Sequence, residues 1–546
     1  MGPLRFAFGK SSHAPTDNCR LPLTLALLAG YLLEGVWNLT NDLRIKVLVT
    51  LFWGLILFTW LVTYERQAMG AEAGLAERVL EHRLDNGMKV LMVERHQAPI
   101  VSLNMTYRVG SVNERTGMTG VAHLFEHMAF KGTSTLGSRD YGKERPVLEE
   151  MEKVDEAIHK EEGKGALADP TVIQKLQARF EELNREAQTY VIPNEIGELY
   201  DKHGGVGFNA GTSRDFTRYT VSLPSNRLPL WATIESDRMA NAVLREFYKE
   251  REVVQEERRL RVDNQPSGKL SEVFLATAFQ AHPYGFPTIG WESDVASLTV
   301  PQTRDFFAIY YTPQNAVLTI VGDIRPKELI KLLENSFRKV SSRPLPALNI
   351  TQEPEQTGER RVEVEFEANP LVMIGYHKPA IRTEDAYVFE VIDSLLSEGR
   401  TSRLYTTLVK EKQLALNIST GSDVPGARYP NLFVITAVPR LPHTTQELEE
   451  AIYTELERLK KEPVEQRELT KILNQLDASL IRSLSTNSGL AAQLAYYEAV
   501  AGSWRYLLDA RERVIKVTSD DVMRVAKRYF IKSNRTVATL VKKVKE

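Results

Sequence analysis

The sequence predicts an α+β protein built from two similar domains and preceded by an N-terminal hydrophobic segment. Its 546 residues exceed what one hydrophobic core usually holds, so the chain should divide into at least two domains. Strand-like alternation recurs between amphipathic stretches of helical spacing. A weak internal repeat ends each half, because residues 300–321 and 517–541 both pattern as a capped helix, a break at an asparagine and a closing strand.

The composition excludes several classes of protein. Apolar residues make up 43% and charged residues 26% of the chain, which indicates a globular protein rather than a disordered one. The net charge of −2 and the lack of a Lys/Arg run give no reason to expect nucleic acid as a partner. Cys19 is the single cysteine, so a metal must be held by histidines and carboxylates.

The most apolar stretch is residues 47–64, which carry no charge over 18 positions. That length is at the short end for a membrane-spanning helix. An earlier apolar stretch, residues 21–39, is interrupted by Glu34 and is a poor candidate. We expect residues 47–64 to form a signal or anchor helix and residues 1–46 to be an N-terminal extension.

The flanks of this helix leave two alternatives open. Arg44 and Lys46 precede it, as in the charged region of a signal peptide, and residues 68–71 (AMGA) could hold a cleavage site. Glu65 and Arg66 intervene before that site, which favours an uncleaved anchor that would tie the chain to a membrane. In both cases the positive flank predicts that the residues after about 71 lie outside the cytoplasm.

The first domain is predicted over residues 76–340 and begins with strands. Residues 84–87 (LDNG) pattern as a turn into a strand at 88–94. Residues 99–110 alternate apolar and polar positions, so they predict a half-buried strand. The apolar positions on one face of that strand are Val101, Leu103, Met105 and Tyr107.

A highly charged helical stretch, residues 145–188, is predicted as an insertion in this domain. It is broken at residues 163–170, so we expect a helical hairpin. Residues 208–223 predict two strands, and residues 226–260 predict a helix. The prolines of residues 341–358 indicate a linker, which leaves residues 359–546 as the second domain.

The sequence GVAHLFEHMAFKGT contains the candidate catalytic motif. His123 and His127 are four residues apart and share a helix face, and Glu126 lies one turn from His123. This H-x-x-E-H order is the ligand pair and general base of the inverted zinc-protease signature. Glu126 is poorly placed as a third ligand because its neighbour His127 already faces the metal. It is better placed to take a proton from a water molecule.

Catalytic zinc usually keeps three protein ligands and one open position, so another element should supply a third. Residues 245–260 pattern as a helix with five glutamates: Glu246, Glu250, Glu252, Glu256 and Glu257. Glu250 and Glu257 are two turns apart and share a face. Either one can bind the metal while the other orients a ligand histidine. The alternative is that this charged helix simply faces solvent.

Together with residues 250–257 (EREVVQEE), the histidine motif resembles the pitrilysin family of zinc peptidases. This family includes insulin-degrading enzyme and the mitochondrial processing peptidase. Its E-R-x-x-V-x-x-E segment implies Glu257 as the third ligand of one Zn²⁺ per chain and Glu250 as a supporting carboxylate. The resemblance covers about residue 76 to the C-terminus and implies α/β-sandwich domains of the processing-peptidase type.

The separation of His127 and Glu257, 257 − 127 = 130 residues, exceeds the usual spacing of this family. The predicted helical hairpin accounts for the excess, as in longer bacterial members.

Two further segments resemble this family. Residues 207–212 (GFNAGT) are similar to its N-A-x-T edge strand, which implies that Asn209 and Ala210 bind an extended peptide through strand pairing. An ordinary hairpin strand is the simpler interpretation of that segment taken alone. Residues 398–405 (EGRTSRLY) resemble the G-x-x-S-R-L-Y turn of the second half.

One departure from the family pattern has a functional consequence. The family usually carries an Arg and a Tyr, seven residues apart, that contact substrate and oxyanion. Residues 408–416 (LVKEKQLAL) instead place Val409 and Leu416 there. Neither can donate the hydrogen bonds that stabilise an oxyanion. Since paired bacterial members divide these roles, the resemblance implies a heterodimer with a second family subunit that supplies Arg and Tyr.

We therefore expect a zinc metalloendopeptidase of the bacterial cell envelope, periplasmic or anchored in the inner membrane. It would cleave extended or unfolded peptides with zinc-activated water and Glu126 as general base. The competing hypothesis is a non-catalytic subunit with an assembly or chaperone-like role, as in relatives within respiratory complexes. Such subunits usually lose ligand residues, whereas all four site residues are present here: His123, Glu126, His127 and Glu257.

Overall fold

The computed structural model describes residues 74–347 and 349–542. The predicted extension at residues 1–46 and the predicted helix at 47–64 lie outside the described residues. Within the described ranges, no helix is long and apolar enough to cross a membrane. The described residues from 78 onward form one compact unit.

Six strands build the first sheet. They are β1 (Leu80–Arg83), β2 (Lys89–Glu94), β3 (Ile100–Tyr107), β4 (Val206–Thr212), β5 (Thr217–Pro224) and β6 (Ala316–Gly322), in the order β1-β2-β6-β3-β5-β4. Only the β2–β6 pair is parallel. The order leaves β4, the strand with Asn209 and Ala210, at the edge of the sheet.

Ten α-helices accompany this sheet. They are α1 (Val121–Met128), α2 (Tyr141–Glu162), α3 (Pro170–Tyr190), α4 (Glu195–Lys202), α5 (Leu228–Asn241), α6 (Phe247–Arg258), α7 (Pro266–Ala278), α8 (Glu292–Ser297), α9 (Val300–Tyr310) and α10 (Pro326–Phe337). The charged stretch of the sequence forms the hairpin α2–α3, which has its own small core around Met151 and Leu183.

Five strands build the second sheet. They are β7 (Arg360–Phe366), β8 (Leu371–Lys378), β9 (Ala415–Val424), β10 (Asn431–Pro439) and β11 (Arg535–Lys542), in the order β7-β11-β8-β10-β9. Its α-helices are α11 (Glu384–Ser397), α12 (Thr445–Lys461), α13 (Gln466–Ser483), α14 (Asn487–Tyr496), α15 (Tyr506–Val514) and α16 (Ser519–Tyr529). Among the described residues of 341–358, none is helix or strand.

The repeat predicted from the sequence is confirmed. The order β2-β6-β3-β5-β4 of the first sheet recurs as β7-β11-β8-β10-β9, and each sheet has one parallel pair. The closing units α9–β6 and α16–β11 also share their local contacts. The side-chain amide of Asn315 donates to the carbonyl of Tyr310 at 2.9 Å, and that of Asn534 donates to Tyr529 at 2.9 Å.

The two halves exchange one helix each. Helix α7 of the first half packs on β7, β8 and β11, and helix α14 of the second half packs on β3 and β6. Phe274 of α7 lies so close to β8 that a Cβ on Gly375 would stand 2.5 Å from its ring, which explains the glycine. Each sheet is therefore covered in part by a helix of the other half, so packing joins the two halves.

One predicted element is wrong. The single helix expected over residues 226–260 is two helices, α5 and α6. Ala242 pairs with Thr133 as an isolated bridge, and Glu246 has a left-handed backbone with φ 57°. Arg245 between them is 1% exposed and donates to backbone carbonyls of the chain after α1. These buried hydrogen bonds interrupt the helix, whereas the spacing of residues in the sequence does not indicate an interruption.

Asp215, in the turn between β4 and β5, joins the two halves. Its side chain is 2% exposed and accepts a hydrogen bond from the Tyr284 hydroxyl at 2.6 Å. It also accepts from the backbone amides of Ala427 and Arg428, at 2.9 Å and 3.1 Å, in the turn between β9 and β10. This carboxylate therefore fastens the end of the edge strand β4 to the second half.

We expect Asp215→Ala to lower the free energy of unfolding by about 2–4 kcal/mol, because it leaves buried donors without an acceptor. Chemical denaturation followed by circular dichroism measures the change. Asp305→Ala, at an exposed position of α9, is the control and should change stability by less than about 0.5 kcal/mol. Equal effects of the two substitutions would contradict the role of Asp215.

Candidate metal centre

The N-terminus of α1 is held by two carboxylates. Glu114 is buried and accepts hydrogen bonds from the backbone amides of Gly120 and Ala122, at 2.9 Å and 2.8 Å. Asp294 accepts from the backbone amide and hydroxyl of Thr119, at 3.2 Å and 2.7 Å. These bonds satisfy amides that a helix start leaves unpaired. They fix the position of α1 and therefore of its histidines.

Gly120 begins this helix with φ 88°, a left-handed conformation that favours glycine. A Cβ at this position would stand 2.7 Å from the carbonyl oxygen of Ile289. The sequence motifs include neither Glu114 nor Asp294. Acidic residues shortly before a helix commonly complement its N-terminus. The position of Glu114 just before the predicted helix is therefore the sequence feature that could indicate its role.

His123, His127 and Glu257 converge on one point. Glu257 Oε2 on α6 lies 3.7 Å from His123 Nε2 and 3.4 Å from His127 Nε2. One potential ligand atom from each of the three residues lies within 4.8 Å of the others. Ligand atoms about 2 Å from a tetrahedral metal are roughly 3.3 Å apart, and two histidines with one glutamate form a known donor set for catalytic zinc. The residues therefore fit a zinc ion.

Glu250 lies behind this cluster. Its Oε2 is 3.3 Å from His127 Nδ1, and its other oxygen pairs with Lys131. A hydrogen bond from Nδ1–H to Glu250 orients the ring so that Nε2 of His127, on the side of Glu257, is the nitrogen that would bind a metal. Of the two glutamates left open by the sequence, Glu257 faces both histidines and Glu250 supports one of them.

The other glutamates of this region point elsewhere. Glu246 pairs with Lys131 and Lys249, and Glu256 is exposed and pairs with Arg259. Glu252 is also exposed. Helical periodicity therefore selects one face of α6, and the packing against α1 selects the residues that reach the histidines.

The two histidines carry different charge states without a metal. Burial lowers the pKa of His123 to about 4, so its ring is neutral at physiological pH and available as a ligand. Burial also opposes charge on His127, but hydrogen bonds to Glu250 and Glu257 outweigh it and raise the pKa to about 9. The hydrogen bond from His127 and the nearby charges lower the pKa of Glu257. The cluster is thus built around one positive charge that a cation can replace.

Glu126 lies beside the cluster with its carboxylate half-buried. Its Oε2 accepts a hydrogen bond from the Thr212 hydroxyl at 2.7 Å. Burial raises the pKa of Glu126 and outweighs the hydrogen bond from Thr212, which lowers it. A raised pKa makes the carboxylate a better proton acceptor near neutral pH. Thr212 ends the edge-strand segment GFNAGT, but the sequence pattern does not indicate its contact with Glu126.

The residues predicted to contact substrate lie on β4. Asn209 is exposed and pairs with Thr220 of β5, and Ala210 pairs with Tyr219. The strand pairs with β5 along one side only. Its outer backbone edge therefore remains available for strand pairing, and its last residue, Thr212, contacts Glu126.

Val409 and Leu416 lie in the second half. Val409 is half-buried against the second hydrophobic core, in the helical turn Tyr405–Glu411. Leu416 stands on the edge strand β9 with 51% of its surface exposed. An aliphatic side chain exposed on an edge strand offers no hydrogen bond to a substrate oxygen.

Two family models match the chain. The model described as Insulinase (Peptidase family M16) matches residues 89–151 and 184–291. The model described as Peptidase M16 inactive domain matches residues 297–476. The unmatched residues between 151 and 184 lie in the hairpin α2–α3. The first match contains every residue of the cluster described above.

Relatives and solved structures agree with these models. The zinc protease PqqE of Helicobacter pylori is 28% identical over 84% of this chain and 91% of its own length. The crystal structure of a protease from Helicobacter pylori covers 85% of this chain and 99% of its own, with a TM-score of 0.71 and 27% identity.

The periplasmic protease PqqL from Escherichia coli shares the fold, with a TM-score of 0.62 and 18% identity. The match covers 85% of this chain but 48% of the PqqL chain. The structure of the first half of PqqL is covered over 92% of its length. This chain therefore corresponds in size to one half of PqqL.

We expect Glu257→Gln to lower the affinity for Zn²⁺ by more than about 100-fold, because it removes a charged ligand atom. Glu250→Gln should cost about 10- to 100-fold, because it weakens only the orientation of His127. Competition with a chromogenic chelator, followed by metal analysis, measures both. The matched control is Glu256→Gln on the same helix, and a loss of zinc equal to that of Glu257→Gln would contradict the assignment.

Proposed function

The chain belongs to peptidase family M16, the pitrilysin family predicted from the sequence, and on this premise we propose that it is a zinc metalloendopeptidase. The observation that carries the proposal is the convergence of His123, His127 and Glu257 within 4.8 Å. The names of relatives as zinc proteases support it. We further propose that these three residues hold one Zn²⁺ per chain.

Zinc bound there would lower the pKa of a water molecule and polarise a substrate carbonyl. In the proposed mechanism Glu126 accepts a proton from that water and then returns it to the leaving amine. Glu250 keeps His127 in the tautomer that presents Nε2. The buried position of His123, which is 9% exposed, limits competition from bulk water for its ring nitrogen.

The proposed substrate is an extended or unfolded peptide that pairs with the outer edge of β4. Backbone groups of an edge strand bind a peptide through main-chain hydrogen bonds, with little dependence on its sequence. Asn209 and Ala210 supply those groups in the proposed complex. Thr212 ends the same strand beside Glu126, so a peptide on β4 would run toward the proposed base.

We also propose that a second family subunit completes the site. Val409 and Leu416 cannot provide the hydrogen bonds that the Arg and Tyr of the family provide. The match to about half of PqqL supports an arrangement in which two such halves act together. This chain covers 48% of the PqqL chain, and in the proposed arrangement the other half is a separate chain.

The proposed location is the cell envelope, with the peptidase domains outside the cytoplasm. The predicted helix at residues 47–64 and its positive N-terminal flank support this location. PqqL is described as a periplasmic protease, which agrees with the proposal. If residues 47–64 act as an anchor, the protein is attached to the membrane. If they act as a cleaved signal, the protein is free in the periplasm.

Glu126→Gln tests the proposed base. We expect hydrolysis of an unfolded protein substrate to fall by about 10²- to 10⁴-fold while zinc remains bound, because glutamine keeps the size of the side chain but accepts no proton. Glu256→Gln is the control, because it also removes one negative charge nearby but leaves the proposed base intact. Retained hydrolysis in the Glu126→Gln variant would exclude this mechanism. If the purified wild-type protein contains no zinc and has no peptidase activity, the result favours the non-catalytic subunit role.

The partner proposal is tested with the native protein. We expect a second M16 chain with Arg and Tyr at the positions of Val409 and Leu416 to co-purify with it. Adding that chain to the purified subunit should raise kcat/KM by about 10²- to 10³-fold, the usual effect of oxyanion donors. Full peptidase activity of the purified single chain would show that no such partner is needed.

A further inference from the structure

Thr212 makes a defined contact with the proposed base. An ionised carboxylate only accepts hydrogen bonds, so in the 2.7 Å contact the Thr212 hydroxyl donates and Glu126 Oε2 accepts. A carboxylate held by a hydroxyl at this distance has one oxygen committed to that bond.

The strand that carries Thr212 is also the strand proposed to bind substrate. Thr212 lies two residues after Ala210 on β4, so their side chains face the same side of the sheet. Helix α1 packs against this strand. A displacement of β4 would therefore move the peptide site and the contact with Glu126 together.

The second half contains a counterpart of this contact. Helix α11 follows β8 as α1 follows β3, and β9 is the counterpart of β4 in the repeated strand order. The hydroxyl of Thr420 on β9 donates to Asp393 on α11. It also lies 2.6 Å from the hydroxyl of Ser397. In both halves a threonine of the edge strand thus binds a carboxylate of the neighbouring helix.

The difference between the two contacts is what surrounds the carboxylate. Glu126 lies beside the cluster of His123, His127 and Glu257, whereas Asp393 lies on a helix without histidine. A threonine-to-carboxylate contact thus occurs in both halves at different strand positions, because Thr212 pairs with Thr217 and Thr420 pairs with Ile435. Only in the first half does it hold a candidate base.

We propose that Thr212 is a positioning residue for Glu126, and that its hydroxyl holds Oε2 so that Oε1 takes the proton from water. This inference rests on the proposed peptidase function. Without the hydroxyl the carboxylate rotates about its side-chain bonds, and the proton acceptor is correctly oriented in fewer molecules. A small loss of alignment in an otherwise intact site lowers the rate of the chemical step.

The experiment uses the full-length, zinc-loaded chain, together with its partner subunit where one co-purifies. Thr212→Val removes the hydroxyl at nearly constant size, Thr212→Ser keeps it, and Thr420→Val removes the counterpart in the second half. We expect Thr212→Val to lower kcat by roughly 10- to 100-fold, with KM within about twofold and zinc content unchanged. Thr212→Ser should recover most of kcat, and Thr420→Val should leave it within about twofold of wild type.

Three outcomes overturn the inference. They are full kcat in Thr212→Val, a loss in Thr212→Ser as large as in Thr212→Val, and equal losses in Thr212→Val and Thr420→Val, which would mark a purely structural link. Thr212→Ala gives the same comparison if the valine variant loses zinc. Glu126→Gln is measured in parallel, because its retained activity would refute the proposed function and not the contact.

Discussion

The candidate metal centre depends on a buried arginine that holds the start of α6 against the chain after α1. Arg245 donates to the backbone carbonyls of Lys131, Leu136 and Thr133. A buried guanidinium is costly unless it is paired, and here Glu144 of α2 accepts from it through both oxygens, at 2.7 Å and 2.9 Å. The carboxylates of α6 meet the imidazoles of α1 because these bonds bring the two helices together. The same bonds break the helix between α5 and α6.

The hairpin α2–α3 contributes directly to this buried contact. Glu144 lies at the start of α2 and is fully buried, so the inserted hairpin supplies the counter-charge for Arg245. The cavity of about 910 Å³ between the hairpin and the body has charged and apolar walls. The hairpin adds residues to the sequence between His127 and Glu257. Through Glu144 it also stabilises the packing in which these two residues meet.

The two halves show how one fold can hold a site in one copy and not in the other. Both have the same strand order and the same capped closing unit, and in both a threonine of the edge strand contacts a carboxylate of a helix. Only α1 carries histidines at helical spacing. This difference agrees with the match of residues 297–476, which include much of the second half, to a model named an inactive domain. Through the exchange of α7 and α14, each half covers part of the sheet of the other half.

The sequence by itself determined the features that depend on neighbouring residues. Helical spacing placed His123, Glu126 and His127 on one helix, and the asparagine breaks revealed the repeat. Tertiary packing decided the rest. It selected Glu257 over Glu250 as the residue that faces both histidines, ended α5 at Asn241 and brought Thr212 to Glu126. Periodicity identifies a face of a helix, but the distance between two faces is set by buried contacts among residues far apart in the chain.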